Sequence, residues 1–178
     1  MNLVSYKKYS HEYATWCSAR AVQRGFVNSI KIKSAIEYAG LQNFEQELLE
    51  TNLSFDVYKI WHRNKAAKIL KGFLNENVSL EDATFGRAAK IIAIYIKTAH
   101  ILGNPESTIS RFAFPPIDRI LLFNIIIKYG KNIFDVKPLN WTNFNEGNYD
   151  SIITSLKDIC KNENLEFFWM IEKYWEIQ

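Results

Sequence analysis

The sequence predicts an all-α fold, a compact single domain of about seven to nine helices, and three observations favour it. Apolar residues gather on one side of most segments when these are drawn as helices, and no segment alternates like a β-strand beside hairpin residues. Only 7 Gly and 4 Pro interrupt the 178 residues. The hydrophobic fraction of 48% is enough for one packed core, so we expect residues 1–178 to form a single domain.

Four helices are predicted in the first half of the chain, and residues that suit helix ends delimit them. Ser10 can cap the first helix, and Gly25 can end it in the left-handed conformation. Trp16 and Ala19 are expected to face inward from this helix. Ser54 is a suitable cap for the fourth helix. The four helices are predicted at residues 11–24, 29–39, 42–50 and 55–74.

A fifth helix is predicted from Thr84, or from a start near Ser79, to residue 102. It is apolar on almost every side, which is typical of a helix in a protein interior. Yet it carries Lys90 and Lys97, which lie about 10 Å apart along its axis and on nearly the same side. Lysine is rarely buried without a partner. Either both ammonium groups reach past the edge of the core, or one lies in a cleft for a chemical reason.

The second half of the chain is predicted to contain three helices, after a short segment at residues 107–112 that leads to Pro115 and Pro116. The helix that Gly130 closes is again apolar nearly all round, so it and the fifth helix are expected to form the centre of the fold. Residues 131–147 are predicted to be rich in loops. The helices of this half are predicted at residues 117–129, 149–161 and 165–175.

Composition excludes some classes of function. Cys17 and Cys160 are isolated, and the three His residues lack the spacing of a zinc site, so we expect no metal and no other cofactor. No apolar run reaches the roughly 18 residues of a membrane span, and no signal peptide is apparent, so a soluble cytoplasmic protein without a membrane partner is expected. Residues 1–137 hold 19 Lys and Arg against 12 Asp and Glu, whereas residues 138–178 hold 3 against 7. This asymmetry is compatible with a polyanionic partner.

Lys90 and Asp118 are the residues of the central block best suited to chemistry. Burial in a dry pocket lowers the pKa of a lysine, because desolvation disfavours its charged form, and the neutral amine is a nucleophile. Such an amine can attack C1′ of a deoxyribose and form a Schiff base, provided that a carboxylate stabilises the positive charge on the sugar. Asp118 follows two prolines at the start of the next apolar helix. We therefore expect Lys90 to approach Asp118 across a cleft.

The segment Gly86-Arg87-Ala88-Ala89-Lys90, together with Pro116-Ile117-Asp118-Arg119, resembles the helix-hairpin-helix DNA glycosylase superfamily. The resemblance covers residues 84–121 and is closest to the archaeal 8-oxoguanine DNA glycosylase group. It implies that Lys90 is the nucleophile, that Asp118 is the catalytic carboxylate, and that Gly86 lies in a hairpin whose N–H groups hold a DNA phosphate. This chain departs from the full hairpin signature, because Ala88 stands where a second glycine would.

The resemblance implies damaged or modified DNA as the partner and base excision, with or without AP-lyase activity, as the reaction. Lys97 is the alternative nucleophile; if it is not, we expect it to reach solvent or a backbone phosphate. Aromatic residues are expected to hold the extruded base. The candidates for the base pocket are Phe114, Trp16 and Trp61, and those for DNA binding are Gly86, Arg87, Arg63, Lys65, Lys68 and Arg119.

Plainer interpretations of the same residues stay open. Asp118 suits a helix cap, and either lysine can extend along the helix into water. The basic side of the helix at residues 55–74 is typical of a solvated face as well as of a phosphate contact. The alternative functions are a helical nucleic-acid-binding module without catalysis and a helical interaction or structural protein.

Overall fold

The computed structural model describes residues 3–176, and every regular element in this range is helical. The all-α prediction is therefore confirmed. Eight α-helices are present in the described range: α1 (Leu3–Val22), α2 (Ser29–Ala39), α3 (Phe44–Leu49), α4 (Phe55–Asn75), α5 (Phe85–Ile96), α6 (Thr108–Phe112), α7 (Arg119–Tyr129) and α8 (Glu146–Asn162). One π-helical turn (Lys97–Ile101) extends α5, and four 3-10 segments complete the fold: Leu41–Asn43, Lys131–Ile133, Pro138–Asn143 and Phe168–Tyr174.

Side-chain caps set several of these boundaries, as the sequence predicts. The Asn28 side chain accepts hydrogen bonds from the N–H groups of the first turn of α2, and Ser54 does the same for α4. Gly40 ends α2 with a φ of 64°, in the left-handed region that glycine adopts without strain. The predicted cap Ser10 is wrong, because α1 begins at Leu3 and Ser10 lies within it.

The orientation of α1 also differs from the prediction. Its buried side consists of small residues, among them Ala14, Ser18 and Ala19, and this side packs on α5 and α2. Trp16 faces solvent instead of the core. Small residues let two helix backbones approach closely, which explains why the large aromatic ring is on the outer side.

Helix α5 is the central element that the sequence predicts. Most of its side chains are buried, and α1, α4 and the 3-10 segment Pro138–Asn143 pack around it. The prediction that α7 is equally central is wrong, because Phe123 and Ile127 of α7 are exposed. Helix α7 instead packs on the segments Pro138–Asn143 and Phe168–Tyr174.

The C-terminal part of the chain wraps the helices in short segments. The helix predicted at residues 165–175 is a 3-10 segment, and the predicted loop at 131–147 contains two more. One cluster of buried apolar side chains extends from Ala14 to Ile171, so these segments share their core with the helices. None of the helices in the described range is both long enough and apolar enough to span a bilayer.

Candidate active site

Lys90 lies in the second turn of α5, on the side covered by the C-terminal part of the chain. Thr84 caps this helix by accepting the N–H of Arg87, and its own hydroxyl donates to the carbonyl of Thr142. The cap thus fastens the start of α5 to the segment that follows Trp141. Lys90 is held at a buried position because its backbone belongs to the most enclosed helix of the fold.

Asp118 is placed by the first turn of α7. Its Oδ1 atom accepts the N–H groups of Ile120 at 3.0 Å and Leu121 at 3.1 Å, so the residue is the N-cap of α7. This arrangement fixes the carboxylate and leaves its second oxygen, Oδ2, directed away from the helix. The capping interpretation and the functional one are therefore compatible, since each uses a different oxygen atom.

The structure brings the two predicted residues together. Lys90 Nζ lies 3.2 Å from Asp118 Oδ2, so the predicted approach of the two residues is confirmed, whereas the cleft predicted between them stays a prediction. Trp175 donates its indole N–H to the same oxygen at 2.9 Å. The ring of Trp141 lies against the ammonium group, with Nζ 4.5 Å from the ring centroid. Only 10% of the Lys90 side chain and 15% of the Asp118 side chain are exposed, so two tryptophans enclose the ion pair.

Burial lowers the pKa of Lys90 below its usual value of 10.5, because desolvation disfavours the ammonium form. The charge of Asp118 and its hydrogen bond act in the opposite direction but do not cancel the effect of burial. Lys90 is consequently easier to deprotonate than a lysine in water. A neutral amine beside a fixed carboxylate is an arrangement suited to nucleophilic chemistry with proton transfer.

Lys97 occupies a different environment from the one expected. It begins the π-helical turn after α5 and forms an ion pair with Glu172 of the 3-10 segment Phe168–Tyr174. Burial raises the pKa of Glu172, and the nearby charge of Asp118 raises it further, while the hydrogen bond and charge of Lys97 lower it. The charge of Lys97 is thus paired with Glu172, while 35% of its side chain remains exposed to solvent. The two lysines and two carboxylates form a four-charge cluster.

Gly86 lies in the first turn of α5, and its environment argues against a phosphate-holding hairpin. Its N–H donates to the carbonyl oxygen of Phe144 at 3.0 Å. A Cβ atom at this position would overlap the carbonyl oxygen of Trp141. The glycine thus permits close packing of the Pro138–Asn143 segment on α5. This packing is also what sets the ring of Trp141 beside Lys90.

The predicted DNA-binding side chains do not form one surface. Lys65 is buried, and its ammonium donates to the carbonyls of Ala39 and Gly40 and to the Glu47 carboxylate, so its predicted exposure is wrong. Arg63 pairs with Glu146 and Asp150, and Arg87 donates to the carbonyl of Asp82 while stacking on Phe26. Lys68 and Arg119 remain exposed to solvent.

The predicted base-pocket residues differ in their exposure, although Phe114 and Trp61 both pack on Tyr58. Phe114 is buried within a cluster of rings that includes Tyr58 and His62. Trp61 is almost fully buried and donates its indole N–H to Glu47, whereas Trp16 faces solvent. These three residues therefore do not line a common pocket in the described structure.

Sequence reasoning missed the two tryptophans beside the Lys90–Asp118 pair and the carboxylate that pairs with Lys97. Trp141 was one aromatic among many, and Trp175 and Glu172 lie far along the chain from their partners. The charge asymmetry was the one available signal. Five of the seven acidic residues in 138–178 pair with basic residues of 1–137, so the fold uses much of this asymmetry internally; the pairs are Glu146–Arg63, Asp150–Lys59 and Arg63, Glu163–Lys128, Glu166–Arg111 and Glu172–Lys97.

Comparison of the chain with protein-family models, with curated proteins and with solved structures gave no match. The resemblance to the helix-hairpin-helix glycosylases therefore stays a prediction, and the candidate site is argued from its geometry.

Proposed function

We propose that the protein is a DNA N-glycosylase with associated AP-lyase activity, and that Lys90 is its nucleophile. The observation that carries the proposal is the contact of a buried lysine of lowered pKa with a fixed carboxylate, 3.2 Å from Nζ to Oδ2. DNA carrying a damaged or modified base is the proposed substrate class.

Asp118 is the proposed proton acceptor and charge stabiliser. The Lys90 ammonium first transfers a proton to Oδ2 of Asp118, with which it is in direct contact. The amine lone pair then forms a bond to C1′ of the deoxyribose, and the glycosidic bond breaks with its electron pair leaving on the base. The departing nucleobase takes up the proton that Asp118 first received. Once it has passed on this proton, Asp118 is again a carboxylate and would stabilise positive charge on the sugar. A second proton then passes from the nitrogen through Asp118 to O4′ as the C1′–O4′ bond breaks, so the sugar ring opens and the product is a protonated Schiff base.

The two tryptophans beside the ion pair suit the substrate that this chemistry needs. A base must leave the duplex before its glycosidic bond is reached, and such bases are held against aromatic surfaces. Trp141 and Trp175 both contact the charged pair. We infer that a target nucleotide displaces the Trp175 indole from Asp118 when it reaches Lys90.

Borohydride trapping on a panel of lesion-bearing and base-modified duplexes tests the proposal. Borohydride reduces a Schiff base to a stable amine, so the wild-type protein is expected to form a covalent adduct with at least one duplex. Lys90→Ala should abolish the adduct, and Lys97→Ala should retain it as the matched control on the same helix. Asp118→Asn should slow base excision by about a hundredfold or more. An adduct that persists in Lys90→Ala, or the absence of any adduct across the panel, would contradict the proposal.

A structural role for the four-charge cluster is the competing proposal, favoured by the low exposure of Lys90 and Asp118. In that case the pair would join α5 to α7 and to the C-terminal segment without chemistry. This alternative predicts no adduct with any duplex, together with a loss of thermal stability on Lys90→Ala. Folded Lys90→Ala protein that has lost only the adduct would exclude it.

A further inference from the structure

Helix α1 exposes an aromatic stripe, which we define as Tyr6, Tyr9, Tyr13 and Trp16. Their exposed fractions are 55%, 58%, 60% and 48%. Spacings of three and four residues place the four rings on one side of the helix, over about 15 Å of its length. They are four of the seven exposed aromatic residues in the described range. Because the opposite side of α1 is buried through small residues, the helix presents its largest apolar groups to water.

Basic residues accompany the stripe and continue it. Arg20 falls on the same side of α1, and Arg24 follows one further turn along the chain; both are exposed. Lys7 and Lys8 flank the first rings. Glu12 is the one acidic residue of α1, and it pairs with Lys8 over 3.9 Å. Among residues 3–176, Arg20 and Arg24 form no ion pair. The basic side chains Lys59, Arg63, Lys97, Arg111 and Lys128, by contrast, pair with acidic residues of the C-terminal segments.

The two arginines border an open depression beyond the stripe. It has a volume of about 690 Å³ and is also lined by Gln23, Asn28 and Ser29. The N-terminal end of α2 opens here, and the positive end of its helix dipole adds to the charge of the arginines. Anionic groups are thus favoured at one end of a row of exposed rings.

We propose that this surface binds single-stranded nucleic acid. Bases stack on exposed aromatic rings without regard to sequence, and a neighbouring positive surface follows the phosphates. The excess of positive charge on α1 favours a polyanion as the partner. The row of exposed rings favours a polyanion whose bases are free to stack, which is a single-stranded nucleic acid. Paired bases in a duplex are not accessible in this way. The inference does not depend on Lys90, since stacking and charge contacts need no covalent step.

Fluorescence anisotropy with a labelled oligothymidylate of about a dozen nucleotides tests the proposal. Tyr13→Ala/Trp16→Ala should weaken binding about tenfold or more, whereas Tyr38→Ala/Phe123→Ala, which removes two exposed rings elsewhere, should leave it within about twofold. Arg20→Ala/Arg24→Ala should weaken binding and reduce its salt dependence. The matched control is Lys157→Ala/Lys161→Ala, which removes two exposed charges at the same spacing on α8.

Three competitors and two further measurements decide the occupant. Unlabelled single strands should compete with the oligonucleotide much better than a duplex or heparin of equal charge. Equal competition by heparin would reduce the surface to a general anion site and overturn the proposal. Tyr13→Ala/Trp16→Ala could instead lose binding to anionic vesicles while still binding the oligonucleotide, which would assign the stripe to a membrane. It could likewise lose self-association in light scattering, which would assign the stripe to a second copy of the chain. Either result would overturn the proposal.

Discussion

Removing Asp118 should destabilise the protein far more than removing Lys90, although the two residues form one ion pair. Asp118→Ala removes the cap of α7, which costs about 1 kcal/mol, and leaves the Lys90 ammonium enclosed without its counter-charge. Breaking a buried pair from one side costs about 3–5 kcal/mol. Since Lys90 can lose its proton in response, we expect a total loss of about 4 kcal/mol in the free energy of unfolding.

Lys90→Met should change the free energy of unfolding far less than Asp118→Ala. The Asp118 carboxylate keeps three N–H donors after this change, from Ile120, Leu121 and Trp175. The methionine side chain also removes the desolvation cost of a buried ammonium and retains contact with Trp141. We expect a loss of about 1 kcal/mol or less.

Urea unfolding followed by helical circular dichroism measures both changes, with an unchanged slope required for a valid comparison. Asp118→Asn is the intermediate variant, because its amide oxygen can still cap α7 while the charge is lost. If Asp118→Ala does not fold, Asp118→Asn against Lys90→Met decides the same question. A Lys90→Met variant as unstable as either Asp118 variant would refute the reasoning that the carboxylate is independently satisfied.

Two further predictions concern packing and titration. Gly86→Ala should lower the free energy of unfolding by about 3 kcal/mol, because its Cβ would overlap the Trp141 carbonyl oxygen. Gly147→Ala, at the matching position of α8, should be neutral or stabilising in the same urea assay. Equal effects of the two substitutions would contradict the packing role of Gly86. Burial lowers the pKa of His62 from 6.5 to about 4, so the unfolded chain binds the proton more strongly than the folded one. The contribution of neutral His62 to the free energy of unfolding is therefore fully present above pH 6.5. It should fall by up to about 3 kcal/mol as the pH drops to about 4. His62→Phe should flatten this part of the pH profile of urea unfolding, and an unchanged profile would show that His62 is not its source.

The sequence is informative where structure depends on neighbours along the chain. The caps at Asn28, Ser54 and Asp118 could be predicted because a side chain two or three residues away supplies the hydrogen bond. The interior position of α5 follows from its apolar surface on nearly every side. Lys90 and Asp118 could be paired because Lys90 lies within one apolar helix and Asp118 begins the next.

Contacts between distant segments could not be predicted in this way. The burial of Lys65 depends on the carbonyls of Ala39 and Gly40 at the C-terminal end of α2 and on Glu47, which only the tertiary fold brings to it. Trp16 was misassigned because hydrophobicity alone does not indicate that small residues form the packed side of α1. Trp141 was present in the pattern of aromatic residues, but its position beside Lys90 depends on the close approach that Gly86 allows.

The four-charge cluster joins parts of the chain that are far apart in the sequence. Lys90 and Asp118 are 28 residues apart, whereas Trp175 lies 57 residues from Asp118 and Glu172 lies 75 from Lys97. Contacts of such long separation carry a larger loop-closure cost than the helix pair itself. Until the Phe168–Tyr174 segment docks, Lys97 lacks its carboxylate and Lys90 lacks part of its cover. We therefore expect the polar centre of this protein to form late in folding, together with the other long-range contacts of the fold.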